Sequence, residues 1–153
     1  MSLRQWIDIP PMWLALCLAI AWVQSSWYPM GMSFGTSPVA DFIGGLLVGG
    51  GLVLMALAIY EMQRHRTTVI PHQNASALVQ SGIFSRTRNP IYLGDAMVLA
   101  GLILYWDAVL SLPLVPIFVW WIEKHFIIGE EDRLRRKFRA DFARYCQKTR
   151  RWV

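Results

Sequence analysis

Cysteine is scarce, with two in 153 residues. Cys17 lies in an apolar run and Cys146 in a basic tail, which excludes a disulfide framework. Histidine is scarce as well. His65, His72 and His125 are scattered without a Cys pair nearby, so zinc-ligand spacing is missing and no metal is expected. Charge is low: Asp, Glu, Lys and Arg make up 16% of the chain, against about 25% in soluble domains. Lys and Arg are missing altogether from Gln24 to Asp41 and at Trp106–Asp107. The net charge of +5 would suggest nucleic acid in a soluble chain, but here the basic residues flank apolar runs. They therefore report membrane topology, and no nucleic-acid partner is expected.

What the chain has is apolar sequence in long runs, 55% of it hydrophobic, with eight Trp and five Tyr to sit at two membrane–water interfaces. Four segments stand out: Pro11 to Met30, Phe42 to Tyr60, Ile91 to Trp106, and Ala108 to Ile122 or on to Ile128. A span needs roughly 17–25 apolar residues. The second meets this cleanly. The third is short and holds Asp95, and the first could also be read as a cleaved signal peptide. With four spans, all fifteen basic residues fall on one side. Both termini and the Arg64–Asn89 loop are then cytoplasmic. The expected fold is an all-α integral membrane protein, one domain over residues 1–153. It has about four transmembrane helices, spans three and four forming a tight hairpin.

Gly45 and Gly49 in span two make a small-xxx-small spacing, which suits close packing within the bundle or a homo-oligomer contact. Pro113 and Pro116 are candidate kinks in span four. From Glu130 to Tyr145, Leu134, Phe138, Phe142 and Tyr145 fall on one face, and Arg133, Arg135, Arg136 and Lys137 surround them. This predicts one C-terminal amphipathic helix, lying on the anionic membrane surface or folded against the cytoplasmic mouth.

Residues 64–153 carry the motifs. Ser76-Ala77-Leu78-Val79 leads through Ser81-Gly82 to Phe84. Arg88-Asn89-Pro90-Ile91-Tyr92-Leu93-Gly94 opens span three, and Glu130-Glu131 follows span four. Taken singly, each has a plain structural explanation. Asn89-Pro90 is a good helix start, Glu130 to Asp132 suit a helix N-terminus, and Ser81-Gly82 is a turn signal. His72 fits a loop, and Asp95 fits pairing with Arg64, Arg66 or Arg88. Together they bracket one hairpin and meet at its open end.

In this order the motifs resemble the membrane methyltransferases of the isoprenylcysteine carboxyl methyltransferase and phospholipid methyltransferase group. That group shows Leu-Val-x-x-Gly-x-(Tyr/Phe), then Arg-(His/Asn)-Pro-x-Tyr-x-Gly, a helical hairpin and a Glu-Glu pair. The resemblance runs from about Thr67 to Trp152. It implies S-adenosylmethionine as cofactor, held at the cytoplasmic end of the bundle, and a lipophilic small-molecule or lipid acceptor. The implied cofactor residues are His72, Ser76, Ala77, Leu78, Val79 and Phe84 before span three. Arg88, Asn89, Pro90, Tyr92 and Gly94 follow at its start, and Glu130 and Glu131 lie after the hairpin. A carboxylate suits the ammonium or sulfonium, Arg88 the carboxylate, and Tyr92 and Phe84 the adenine.

Two departures stand out. Arg139 occupies a position that is often Gly. Phe126 stands where isoprenylcysteine enzymes carry a substrate-touching Arg, which turns the expectation away from a prenylcysteine carboxylate. Asp95 and Phe126 are the candidates on the acceptor side. No catalytic base is assigned, because a sulfonium methyl is already activated and positioning supplies much of the rate. A nicotinamide-dependent membrane reductase is the rival enzyme, but such reductases are larger. A non-enzymatic membrane adaptor would bind no cofactor.

Overall fold

The computed structural model describes residues 7–29, 33–34, 38–70 and 73–153, which form helices and no strand. Pro10–Trp27 is α1 and Pro38–Arg64 is α2. Pro90–Tyr105 is α3 and Leu114–Ile122 is α4. A π-helical turn at Glu123–Ile127 continues α4 into α5, Ile128–Phe138, and α6 is Ala140–Lys148. Two helical stretches are long and apolar enough to cross a membrane, Pro38–Arg64 and Val109–Phe138, while α3 is apolar but shorter.

Local sequence explains where these helices start and bend. Proline occupies the first turn of α1 and of α3, where its missing N–H costs nothing. Pro113 caps α4 and Pro116 lies in its first turn, so neither kinks it. The irregularity comes later, at the π turn. In α2 the acidic and basic groups are confined to the two ends, at Asp41, Glu61 and Arg64. Its apolar side chains are widely exposed, Phe42 at 67% and Leu46 at 58%, as lipid contact requires and a soluble core does not.

The closest packing is between α2 and α3, and four glycines make it. A Cβ on Gly44 would sit 2.7 Å from the Gly101 carbonyl oxygen, and one on Gly51 would sit 2.6 Å from that of Gly94. The backbones therefore touch with no room for a methyl group. Gly45 and Gly49, the expected spacing, face open space instead. The seven-residue spacing of Gly44 and Gly51 forms the seam because it returns to nearly the same helix face after two turns. Beyond it, Leu99 and Ile103 of α3 join Phe118 and Ile122 of α4 and Phe126 and Ile127 of the π turn in the core, with α1 packed on it through Ala21.

At the far end of α3, Asp107 accepts hydrogen bonds from the Ser33 hydroxyl and the Phe34 N–H. These hold its carboxyl below the ordinary carboxylate range, Ser33 first. Ser111 donates to the Gln24 side chain at 3.0 Å, so polar groups that interrupt the apolar runs find one another at that end.

The tail is two helices and not one. The chain breaks at Arg139, whose φ is +44°. A residue with a Cβ is strained there and glycine is not, which accounts for the glycine common at this position in the similar family. The break turns Phe142 and Tyr145 of α6 inward, where both are buried.

Candidate functional site

A cavity of about 410 Å³ opens where α2, α3, α5 and the 67–84 loop converge, within the range of small-molecule sites. The loop is fastened at both ends. Thr67 Oγ1 accepts the Ser76 N–H at 3.0 Å. Ser81 donates to buried Glu61 at 2.6 Å. Gly82, at φ +58°, lies so close over Glu61 that a Cβ would be 2.7 Å from its side chain. The Ser81-Gly82 turn is thus clamped to the end of α2. Tyr145 donates its hydroxyl to the Phe84 carbonyl at 2.7 Å, and burial pushes that phenol above its ordinary range.

The start of α3 is tied to the chain's tail. The Arg88 N–H bonds to the Arg150 carbonyl at 3.0 Å, and the Arg88 guanidinium to the Thr149 carbonyl at 2.6 Å. Thr87 donates to the Arg151 carbonyl at 3.2 Å, and so does the Asn89 amide at 3.0 Å. Asn89 makes no side-chain cap on α3. The Arg151 side chain then turns back, meeting both oxygens of Glu131 at 3.0 and 2.7 Å and Glu123 at 3.0 Å. Its bond to Glu131 is the main cause lifting its already high pKa. Arg88 reaches the same Glu131 at 3.0 Å, and the Trp152 indole donates to Glu123 at 2.9 Å. Glu131 is therefore committed to two arginines.

Its neighbour differs. Glu130 accepts a hydrogen bond from the Tyr92 hydroxyl at 2.7 Å, and both residues line the cavity. Helix capping does not explain either glutamate. Ile127, at the start of α5, is itself helical, so α5 has no free N-terminus to cap.

Most of the residues marked in the sequence meet here. Ala77, Leu78, Val79 and Phe84 line one wall, and Arg88, Asn89, Pro90, Tyr92 and Asp95 another, facing Glu130 and Glu131. Ser76 lies just beside the wall. Gly94 belongs to the α2 seam. Phe126 is 2% exposed in the core and off the cavity, so its place on the acceptor side is corrected. His72 lies outside the described residues. The sequence reading passed over Glu123, Arg151 and Trp152, whose signal was a charge inside an apolar run and the basic-aromatic Arg150-Arg151-Trp152. It also passed over Met55, Ile59 and Met62 of α2, Arg133 and Lys137 of α5, and Ile9 and Pro10 at the α1 start, all on the cavity wall.

The fold and site define a helical membrane protein with a cavity lined by both apolar and charged side chains, built on motifs that resemble those of membrane methyltransferases. The family model described as phospholipid methyltransferase matches residues 39–141, and the chain belongs to that family. The match covers α2 to the start of α6 and leaves out α1 and the tail strap at Thr149–Trp152. No curated protein and no solved structure matches the chain.

Proposed function

We propose that this protein moves a methyl group from S-adenosylmethionine to a lipophilic or membrane-embedded acceptor at the cytoplasmic face of the membrane. The observation that carries the reading is the Tyr92–Glu130 pair on the wall of a cavity at the end of the α3–α4 hairpin. A carboxylate fixed by a tyrosine beside an aromatic wall suits a ligand with a cationic centre and a flat base. Glu130 and Tyr92 would hold that ligand, with Phe84 and the Ala77–Val79 backbone closing the far side. The bound cofactor supplies an electrophilic methyl group. The chain's own part is to orient both reactants and to exclude water from the point where they meet. Arg88, Asn89 and Glu131 shape this wall by strapping the tail to it.

Four membrane crossings, with both termini and the 64–89 loop cytoplasmic, fit the segregation of basic residues. The acceptor enters sideways from the lipid. Gly45 and Gly49, on the open face of α2, suit contact with a second copy in the bilayer.

Calorimetric titration of the purified protein with S-adenosylhomocysteine tests the reading, with saturable one-to-one binding expected. Absence of heat at saturating ligand in a folded sample would remove the cofactor assignment. Reporters after Val153 and near Ser33 should read opposite compartments, and the same compartment for both would break the four-span topology.

A further inference from the structure

The tail leaves the bundle along α5 and comes back to it along α6. Tyr145 donates to the Phe84 carbonyl, and Thr149 to the Ser85 carbonyl at 3.4 Å. Trp152 closes the return on Glu123, the first charge after the apolar run of α4. A charge that ends an apolar span, with a Trp beside it, marks the level of the lipid headgroups.

This return brings together three cations from distant parts of the sequence. Arg86 follows Ser85, and Lys148 and Arg150 flank Thr149. All three are exposed, and none makes an ion pair among the described residues. The nearby carboxylates are taken, Glu131 by Arg88 and Arg151 and Glu123 by Arg151 and Trp152. Asp141, the one acidic side chain after Asp132, pairs with Arg144. None of the three cations lines the cavity, so the methyltransferase reading uses none of them. Phe142 and Tyr145 are turned inward, and the outer face of α6 carries Arg144 and Lys148 with no large apolar side chain. That face suits contact with charge and not insertion among acyl chains.

We propose that Arg86, Lys148 and Arg150 form a rim at the membrane interface that binds the phosphate of an anionic phospholipid, outside the cavity. Three cations without protein partners at headgroup depth complement such a phosphate. Depth separates them from the other exposed cations. Arg136 lies roughly 20 Å past Glu123 along the continuous helix, beyond a headgroup layer of roughly 5–8 Å.

The test uses the purified full chain in non-ionic detergent, stripped of co-purified lipid. The probes are dioleoylphosphatidylglycerol and dioleoylphosphatidylcholine, with bound lipid counted by native mass spectrometry. Wild type should bind the anionic lipid at least about tenfold more tightly than the zwitterionic one, and the preference should fall as salt is raised. Replacing all three cations, Arg86→Gln with Lys148→Gln and Arg150→Gln, should shrink it to about threefold or less and leave the lipid-free melting temperature near wild type. Arg150→Gln alone should weaken the anionic lipid about fivefold, which keeps the test open if the triple variant does not fold. Arg136→Gln should bind as wild type. Glycerol phosphate, the same anion without chains, should bind at least about tenfold more weakly than the lipid. No preference in wild type, an unchanged preference in the rim variants, an equal loss in Arg136→Gln, or glycerol phosphate bound as tightly as the lipid would each overturn the proposal.

Discussion

The two ways in which α3 is held differ in kind. Along its length it lies against α2 through four glycines, backbone on backbone, with no polar side chain involved. At its start it is held by charge, through Arg88, Glu131, Arg151 and Glu123. Lipid offers no hydrophobic drive for one apolar helix to join another, so the seam depends on close fit. The mouth excludes water less well and depends on paired charges, each satisfied by the others. The seam should therefore be intolerant of volume and the mouth intolerant of unpaired charge.

The largest effect should come from volume in the seam. Gly51→Leu or Gly101→Leu forces two backbones apart and should cost about 3 kcal/mol or more, seen as aggregation or a large fall in melting temperature in detergent. At Gly45 and Gly49 an added Cβ meets nothing within 4 Å in the chain, so Gly45→Leu and Gly49→Leu should melt close to wild type in detergent samples of the single chain. Equal losses at all four positions would mean that the seam has been misplaced.

Next is charge at the mouth. Glu131→Gln leaves Arg88 and Arg151 without their shared partner and should cost about 3 kcal/mol, checked by thermal unfolding. Arg151→Lys keeps the charge but not the paired bonds and should lose less than Glu131→Gln does. Full stability in Glu131→Gln would show that the tail is held by its backbone bonds alone.

Glu130→Gln should do the reverse. It should weaken S-adenosylhomocysteine binding by about 1.5–3 kcal/mol, the scale of a charged hydrogen bond, with a small change in melting temperature. Asp132→Asn, which loses only an exposed bond to Arg135, should leave the affinity unchanged. If stability and affinity fall together in Glu130→Gln, the adjacent glutamates do not divide binding from strapping.

The smallest effect should be a gain. Arg139→Gly relieves the positive φ and should add about 1 kcal/mol of stability, read as a modest rise in melting temperature. A fall would show that the Arg139 side chain has a role its backbone hides.

Composition and the apolar runs were enough to give helices, because these rest on local pattern. Glu130, Tyr92, Phe84 and Ala77–Val79, which line the cavity, came instead from the family resemblance of the ordered motifs. The roles of Arg88, Asn89 and Glu131 were not, since their partners lie across the chain at Thr149, Arg150 and Arg151. Local pattern makes Asn89-Pro90 a cap and is blind to a carbonyl 62 residues further on. The glycines were misread because five of them in one helix offer several faces. Only the position of the neighbouring helix selects Gly44 and Gly51. The single tail helix failed at Arg139, where the run itself favours helix and only the glycine common there in the similar family points to a break.

The π turn at Glu123–Ile127 has a consequence for the angular phase of everything after it. Each residue advances an α-helix by about 100°, and a π turn carries one residue more than the α-helical turn it replaces. With the same residues wound as an unbroken α-helix and none removed, α5 would swing by roughly that angle from where the π turn leaves it. Glu130 would leave Tyr92, Glu131 would leave its arginines, and the two carboxylates would exchange cavity and strap for lipid and water. One extra residue, in a segment that touches no ligand, thus acts as the dial that aims both glutamates.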